Sequence, residues 1–180
     1  MRKKIGKAIR ALDLQLGKLD RARVKLAQKD KRYYNKVVKA LTAHKRKKAI
    51  VYANEMAEVR KALKTINQTK LAIEHISLRL NTVRDIGDIV TTIAPATSIL
   101  RATRGNLADV LPRAEEEFDT VSDILGSVLV EAGQMGGITI NFSTANVEAE
   151  KILREAEAQV EREIRLPSVP SAVEREEIGF

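Results

Sequence analysis

The stretch that decides the fold is Arg2–Leu26, RKKIGKAIRALDLQLGKLDRARVKL. Its apolar residues recur at steps of four and three, the spacing of a helix face that packs against a partner helix. They are Ile5, Ile9, Leu12, Leu16, Leu19 and Leu26, and Arg23 occupies the one position of this face that is not apolar. Basic side chains occupy the opposite side, at Lys3, Lys7, Arg10, Arg21 and Lys25, with Leu14 and Gly17 as uncharged members. The pattern predicts a helix with one face for a partner helix and one for anions.

A second long helix is predicted from Tyr33 to Ala94, because no Gly or Pro occurs between Tyr33 and Ile86. Unbroken, it would be about 90 Å long and would leave apolar surface for other subunits. The polar run Ala27–Arg32 interrupts the first stripe and is predicted to be the tip of a helical hairpin that spans residues 1–94. The predicted seam and assembly surface consists of Ile5, Ile9, Leu12, Leu16, Leu19, Tyr52, Met56, Val59, Leu63 and Ile66.

Shorter helices are predicted over residues 96–132, which with the hairpin would form a helical core of residues 1–132. Pro95 removes a backbone donor, so we expect a kink or hinge between residues 85 and 97. One short helix is predicted over Ile99–Val110. The next one is predicted to open at Pro112 with three glutamates in its early turns, where the helix dipole favours anions, and to end by Gly133.

The C-terminal part is predicted to consist of a joint, an acidic helix and a tail. Residues 133–145 form the joint, and their glycines are not followed by the Lys-Ser or Lys-Thr pair of a phosphate-binding loop. An acidic helix follows over residues 146–164 with Asn146 as its cap. The tail of residues 165–180 contains Leu166-Pro167-Ser168-Val169-Pro170, whose two prolines favour extended backbone and a short linear ligand.

Charge is divided unequally along the chain. Residues 2–84 carry 24 basic and six acidic side chains, a net +18, whereas residues 85–180 carry eight basic and 18 acidic ones, a net −10. Lys45–Lys48 form a basic run that would surround the second helix as a collar. A strongly basic segment attracts an anionic partner, which here could be the chain's own acidic part, an anionic membrane or nucleic acid.

Composition excludes several classes of protein. The chain has no Cys, which excludes disulfides and thiolate metal sites, and nothing indicates an oxidising compartment. Aromatic residues make up only 3% and Trp is absent, so we expect thin helix-to-helix seams in an extended, all-α molecule. The longest uncharged run, Ala132–Val147, is too short and too polar to span a bilayer. We expect no secretory signal, because Lys7, Arg10 and Asp13 interrupt any apolar stretch near the start. Any membrane contact is therefore expected to be peripheral.

The order of these segments resembles the Snf7 domain of ESCRT-III proteins, and the archaeal Cdv cell-division branch in particular. The resemblance covers the basic first helix, the long second helix with Ala53–Lys61 (ANEMAEVRK), the acidic helix after Pro112 and the terminal helix before the tail. The chain ends at Phe180, without room for the C-terminal winged-helix-like extension of some archaeal members, which suggests a CdvB-like short paralogue.

The resemblance implies a cytoplasmic, non-enzymatic subunit that polymerises with itself and with paralogous subunits at the inner face of the membrane at the division site. The tail at Leu166–Pro170 resembles a proline-containing MIT-interacting motif, which implies docking to the MIT domain of a disassembling AAA-type ATPase. Binding to anionic membrane is predicted for Arg2, Lys3, Lys4, Lys7, Arg10 and Lys18.

Catalytic or metal-binding chemistry is not indicated by the residues. His44 and His75 lie on predicted helices without Cys or a nearby carboxylate cluster, and the side chains of Glu115 and Glu116 diverge by about 100° on a helix. We expect no cofactor and no metal. The alternatives are a basic helical nucleic-acid-binding protein and a soluble coiled-coil adaptor. Specific nucleic-acid recognition is not expected, because stacking aromatics and recognised binding motifs are absent.

Overall fold

The computed structural model describes residues 1–83, 86–136 and 142–164, and all five elements in them are helices. They are α1 (Arg2–Thr42), α2 (Arg46–Asn81), α3 (Ile86–Leu107), α4 (Ala114–Gly136) and α5 (Phe142–Ile164). No strand occurs in these ranges. The predicted all-α fold is confirmed. Helix α1 packs against α2 and α4, and α5 packs against α2 and α3.

Helices α1 and α2 form an antiparallel hairpin with one continuous register. Three polar contacts show the register: Asp13 accepts a hydrogen bond from Ser77 at 3.2 Å, Asp20 pairs with Lys70 at 3.1 Å and Asp30 with Arg60 at 2.8 Å. Of the predicted seam residues, five are buried: Ile5, Leu12, Leu19, Val59 and Ile66. The other five are half-buried: Ile9, Leu16, Tyr52, Met56 and Leu63.

The predicted position of the hairpin tip is wrong. Residues 27–32 continue α1, and the chain reverses 11 residues later at Ala43–Lys45. The predicted second helix from Tyr33 to Ala94 is wrong at both ends, because α2 begins at Arg46 and ends at Asn81. The polar residues of 27–32 lie where only two helices pack together, so fewer positions on each helix need to be apolar.

The turn is made without Gly or Pro. His44 adopts φ = 56°, the left-handed conformation that commonly ends a helix. The Lys45 N–H donates to the Ala40 carbonyl at 2.8 Å and the His44 N–H donates to the Leu41 carbonyl at 3.0 Å. This pair of hydrogen bonds is a Schellman motif, which satisfies carbonyls left free at the end of α1. The Lys45–Lys48 run is therefore not a collar within a long helix but lies at the turn and in the first residues of α2.

The predicted hinge around Pro95 is also corrected. Helix α3 runs through Pro95, and the interruption before it lies after Asn81. Ile93, Ala94, Ala96 and Ile99 are buried on both sides of the proline, and this packing stabilises a helix that has lost one backbone hydrogen bond. The short helix predicted over 99–110 is therefore the second half of a longer one.

Boundaries near the C-terminal helices differ by a few residues from those predicted. Pro112 precedes α4, and α4 continues to Gly136, so the first residues of the predicted joint are helical. Helix α5 begins at Phe142, which places Asn146 inside it rather than at its cap. The Asn146 side chain accepts a hydrogen bond from the Ser98 hydroxyl of α3 at 2.9 Å. Residues 137–141 and the tail from 165 lie outside the described residues.

The main core lies at the open end of the hairpin, where α3, α4 and α5 pack against it. Phe118, Leu125, Ile93 and Leu100 are among its fully buried side chains. No residue from 27 to 65 belongs to this core cluster. We call residues 27–57 the arm. Within the arm only Ala40 and Ala49 are buried, so it consists of two helices packed on each other.

Candidate functional site

The predicted membrane-binding residues all lie on α1, and the structure divides them into two groups. Arg2, Lys3, Lys7 and Arg10 are exposed and make no ion pair within the described parts of the chain. Lys3, Lys7 and Arg10 follow one another at steps of four and three, so they form one row along the helix. We call these three the free row. Their positive charge is available to an external anion.

Lys4 and Lys18, in contrast, hold α4 against α1. The Lys4 Nζ lies 2.8 Å from a Glu131 carboxylate oxygen, and the N-terminal amine lies 3.5 Å from the other oxygen of the same carboxylate. Lys18 pairs with Glu117. The two lysines are fourteen residues apart on α1, and the two glutamates are fourteen residues apart on α4. The earlier lysine pairs with the later glutamate, so α4 runs antiparallel to α1. Sequence reasoning missed these two glutamates as partners, although their spacing of four helical turns was a usable signal.

The pairs change the acidity of the carboxylates. A hydrogen bond from Lys18 lowers the pKa of Glu117 below its ordinary value, with a further contribution from the side chain of Gln15, which is buried between the two helices. A hydrogen bond from Lys4 lowers the pKa of Glu131 in the same way. Both shifts arise because the charged carboxylate is favoured beside a cation, so both carboxylates stabilise the packing of α4 only while ionised.

Acidification is expected to weaken this packing. The pKa values of Glu117 and Glu131 in the folded chain lie below their ordinary value of 4.5. Their contribution to stability is therefore complete above about pH 4.5 and is lost as the pH falls through the lowered values, because the unfolded chain takes up protons first. Thermal unfolding at a series of pH values, followed by circular dichroism, measures the loss. The melting temperature of the double variant Glu117→Gln, Glu131→Gln should fall less than that of the wild-type chain as the pH drops below about 4.5. An equal fall in both proteins would mean that these two carboxylates are not responsible for the pH dependence.

Acidic side chains of α5 approach the basic α2 in a similar way. The Arg79 guanidinium lies 2.6 Å from Glu148, and Lys64 lies 4.0 Å from Glu161. The order of these contacts makes α5 antiparallel to α2, with its C-terminus toward the arm. Helix α5 packs against both α2 and α3, and four of its apolar side chains are buried: Ala149, Ile152, Ala156 and Val160. The acidic half of the chain is thus folded onto the basic hairpin at two places.

Other predicted features are outside the described residues or absent from them. Leu166, Pro167, Ser168, Val169 and Pro170 lie outside. None of the helices in the described ranges combines the length and the hydropathy that a bilayer span requires. The same residues contain no group of three His, Cys, Asp or Glu side chains that could hold a metal ion.

Two archaeal proteins are among the relatives found by comparison with known proteins. Cell division protein B1 of Sulfolobus acidocaldarius is 31% identical over 163 residues, which cover 89% of this chain and 73% of the relative. Cell division protein B of the same organism is 28% identical over 172 residues, covering 92% of this chain and 66% of the relative. No protein-family model matches the chain, and no solved structure matches it at a significant level. The identity and coverage place the chain in the archaeal cell division protein B (CdvB) family of ESCRT-III-like proteins.

Proposed function

We propose that the chain is a non-enzymatic ESCRT-III-like subunit that polymerises into filaments on anionic membrane and helps to constrict and sever it during cell division. It acts peripherally, at the inner membrane face of the division site, together with paralogous subunits. An AAA-type ATPase removes it through an MIT domain. The part of the proposal that concerns cell division is supported by membership of a family of ESCRT-III-like cell division proteins.

The observation that carries the membrane part is the free row of α1. Lys3, Lys7 and Arg10 are exposed and unpaired among the described residues, although 18 acidic side chains follow in the C-terminal part of the sequence. Acids of α4 pair with the neighbouring Lys4 and Lys18 instead. A row of unpaired cations attracts anionic lipid with about 1 kcal/mol for each Lys or Arg near the surface.

Assembly is attributed to the hairpin and its restraint to α5. The hairpin seam buries apolar residues, most of them outside the arm, and α5 packs against part of α2 as well as against α3. If α5 moves away, this part of α2 becomes available to another subunit. The ion pairs Arg79–Glu148 and Lys64–Glu161 would then be exchanged for contacts within a filament.

Docking to the ATPase is assigned to the tail motif. A peptide of residues 164–172 is expected to bind the MIT domain of the partner ATPase with micromolar-order affinity, about −8 kcal/mol, because its prolines lower the ordering cost while Leu166 and Val169 provide the buried side chains. Calorimetric titration measures this. The peptide with Leu166→Asp and Val169→Asp is the control, and equal binding of both peptides, or binding of neither, would remove the motif from the proposal.

Electron microscopy of the full chain with anionic vesicles, at low and at high salt, tests the proposal as a whole. Filaments on the vesicles at low salt that disappear at high salt or on neutral lipid are the expected result, because surface charge is screened within a Debye length. Coating of DNA in place of vesicles would favour the basic nucleic-acid-binding protein. The absence of filaments on either surface would favour the coiled-coil adaptor.

A further inference from the structure

The arm exposes apolar side chains on one side near its end. In α1, Tyr34, Val38 and Leu41 are 54%, 44% and 53% exposed, and they share one face because they lie at steps of four and three. In α2, Ile50 is 51% exposed. Leu41 and Ile50 line the same groove of about 590 Å³ between the two helices, together with Val37 and Ala53. We call the six residues Tyr34, Val37, Val38, Leu41, Ile50 and Ala53 the tip face.

The two helices of the arm pack through other side chains, and this packing leaves the tip face exposed to solvent. Ala40 and Ala49 are buried in the seam, and the Tyr33 and Tyr52 rings lie 6.4 Å apart between their centroids. The Lys36 Nζ lies 5.2 Å from the Tyr33 centroid and 5.4 Å from that of Tyr52, which ties the two helices together. The exposed apolar side chains are therefore on the outside of an ordered two-helix unit, and no core residue of α3, α4 or α5 covers them.

The charge around the tip face has one sign. From Lys31 to Asn54 the sequence has eight basic residues and no acidic one. All eight are exposed and make no ion pair within the described residues: Lys31, Arg32, Lys36, Lys39, Lys45, Arg46, Lys47 and Lys48. Exposed apolar surface rimmed by polar side chains marks interaction sites, and the charged residues of this segment are all basic, with Arg46 lining the groove itself. Its partner must therefore be both apolar and anionic.

We propose that the tip face lies on an anionic bilayer, with Tyr34, Leu41 and Ile50 in the headgroup region and the surrounding Lys and Arg side chains extended toward the lipid phosphates. Apolar side chains flanked by cations are the pattern of helices that lie in the membrane interface, where the apolar face is buried by about 5–10 Å. The inference rests on the proposed membrane function and adds a second contact, about 45 Å along α1 from the free row.

A bilayer fits this face better than a second copy of the chain. A second tip is repelled because it carries the same charge. The α4 acids Glu117 and Glu131 of a second copy already pair with cations of its own hairpin. An anionic bilayer provides phosphate and apolar acyl chain from one source and has no prior partner to release.

Val51 provides a matched control for Ile50. It lies on the same helix and is 58% exposed, but its side chain points about 100° away from that of Ile50. The natural chain has no Cys, so single Ile50→Cys and Val51→Cys variants of the full chain can each carry one environment-sensitive fluorophore. Vesicles of equal parts phosphatidylcholine and phosphatidylglycerol should shift the emission of the label at position 50 to the blue and leave the label at position 51 unchanged. Equal shifts at both positions, or none at position 50, would overturn the proposal.

Partitioning of point variants into the same vesicles gives an independent measurement. Ile50→Asp is expected to weaken co-sedimentation by about tenfold, and Val51→Asp by less than about twofold, because only the first loses buried apolar surface. Both positions are exposed, so neither change should unfold the arm; circular dichroism checks this. A blue shift at position 50 without vesicles that grows with protein concentration would assign the face to a second copy instead and overturn the proposal.

The outcomes separate this inference from the proposed function. If Ile50→Asp binds vesicles as the wild-type chain does while neutralisation of the free row abolishes binding, the tip face is not a membrane contact and the proposed function stands. If the wild-type chain itself does not bind anionic vesicles, both proposals fail.

Discussion

Neutralising the free row with Lys3→Gln, Lys7→Gln and Arg10→Gln is expected to lower partitioning onto anionic vesicles by roughly 100-fold. Each of the three cations contributes about 1 kcal/mol near such a surface, and a loss of about 3 kcal/mol corresponds to this factor. None of them has an ion-pair partner in the described part of the chain, so their removal should not disturb the fold. Co-sedimentation with vesicles at low and high salt measures the change.

The control is a triple variant of α1 cations that already have partners: Lys4→Gln, Lys18→Gln and Arg23→Gln. These residues pair with Glu131, Glu117 and Asp20. The net charge of the chain changes by the same amount, but less vesicle binding should be lost. Equal losses in the two variants would mean that total charge, and not the free row, determines binding. Salt-independent binding of the wild-type chain would refute the electrostatic mechanism.

Removing α5 by truncation after Met135 is expected to lower the concentration needed for assembly by an order of magnitude or more. In the full chain α5 covers part of α2, so only the fraction of molecules in which α5 has moved away can use that surface, and the apparent affinity is reduced by this fraction. Light scattering of full-length and truncated protein measures the shift. Negative-stain microscopy distinguishes filaments from amorphous aggregates.

A charge variant tests the same restraint without deleting the helix. Glu148→Arg together with Glu161→Arg places like charges beside Arg79 and Lys64, and should promote assembly in the same direction as truncation. The control is Glu150→Arg, since Glu150 is exposed and pairs only with Arg154 of its own helix among the described residues. If truncation lowers assembly, α5 is part of the assembling structure and the hypothesis that it restrains assembly is wrong.

Sequence periodicity was sufficient for the fold class and for the inner face of the hairpin. Leu12 and Leu19 of α1 are fully buried, and so is Ile66 of α2, because a residue repeat of three and four keeps one helix face toward its partner. The same spacing predicts the free row, whose three residues lie on the side of α1 opposite the buried leucines. These features depend on local spacing alone.

The chain reversal could not be found from composition. It lies at Ala43–Lys45, and His44 takes the left-handed conformation that Gly usually provides, so no Gly or Pro marks it. Pro95 gave the opposite error: it suggested a break, but packing around Ile93 and Ile99 keeps α3 continuous. In both cases hydrogen bonds or tertiary contacts outweigh the preference of a single residue.

The distribution of charge at the candidate site could be predicted from the sequence, but the partners of its ion pairs could not. The basic and acidic halves follow from counting side chains, whereas the choice of Lys4 and Lys18 as partners of α4 depends on how two helices distant in sequence come together. The tip face was missed for a related reason. Its residues were all predicted to lie on one long helix from Tyr33 to Ala94, and their exposure is evident only from the structure, in which α3, α4 and α5 cover the other end of the hairpin.

The arm also gives the chain a natural optical probe. The sequence has no Trp and three Tyr, and all three, Tyr33, Tyr34 and Tyr52, lie in the arm. Tyrosine absorbance and emission of the unmodified protein therefore report on the arm alone, whereas circular dichroism averages over all helices. Because the arm has few buried contacts, the two signals can separate local opening of this region from unfolding of the core in a single sample.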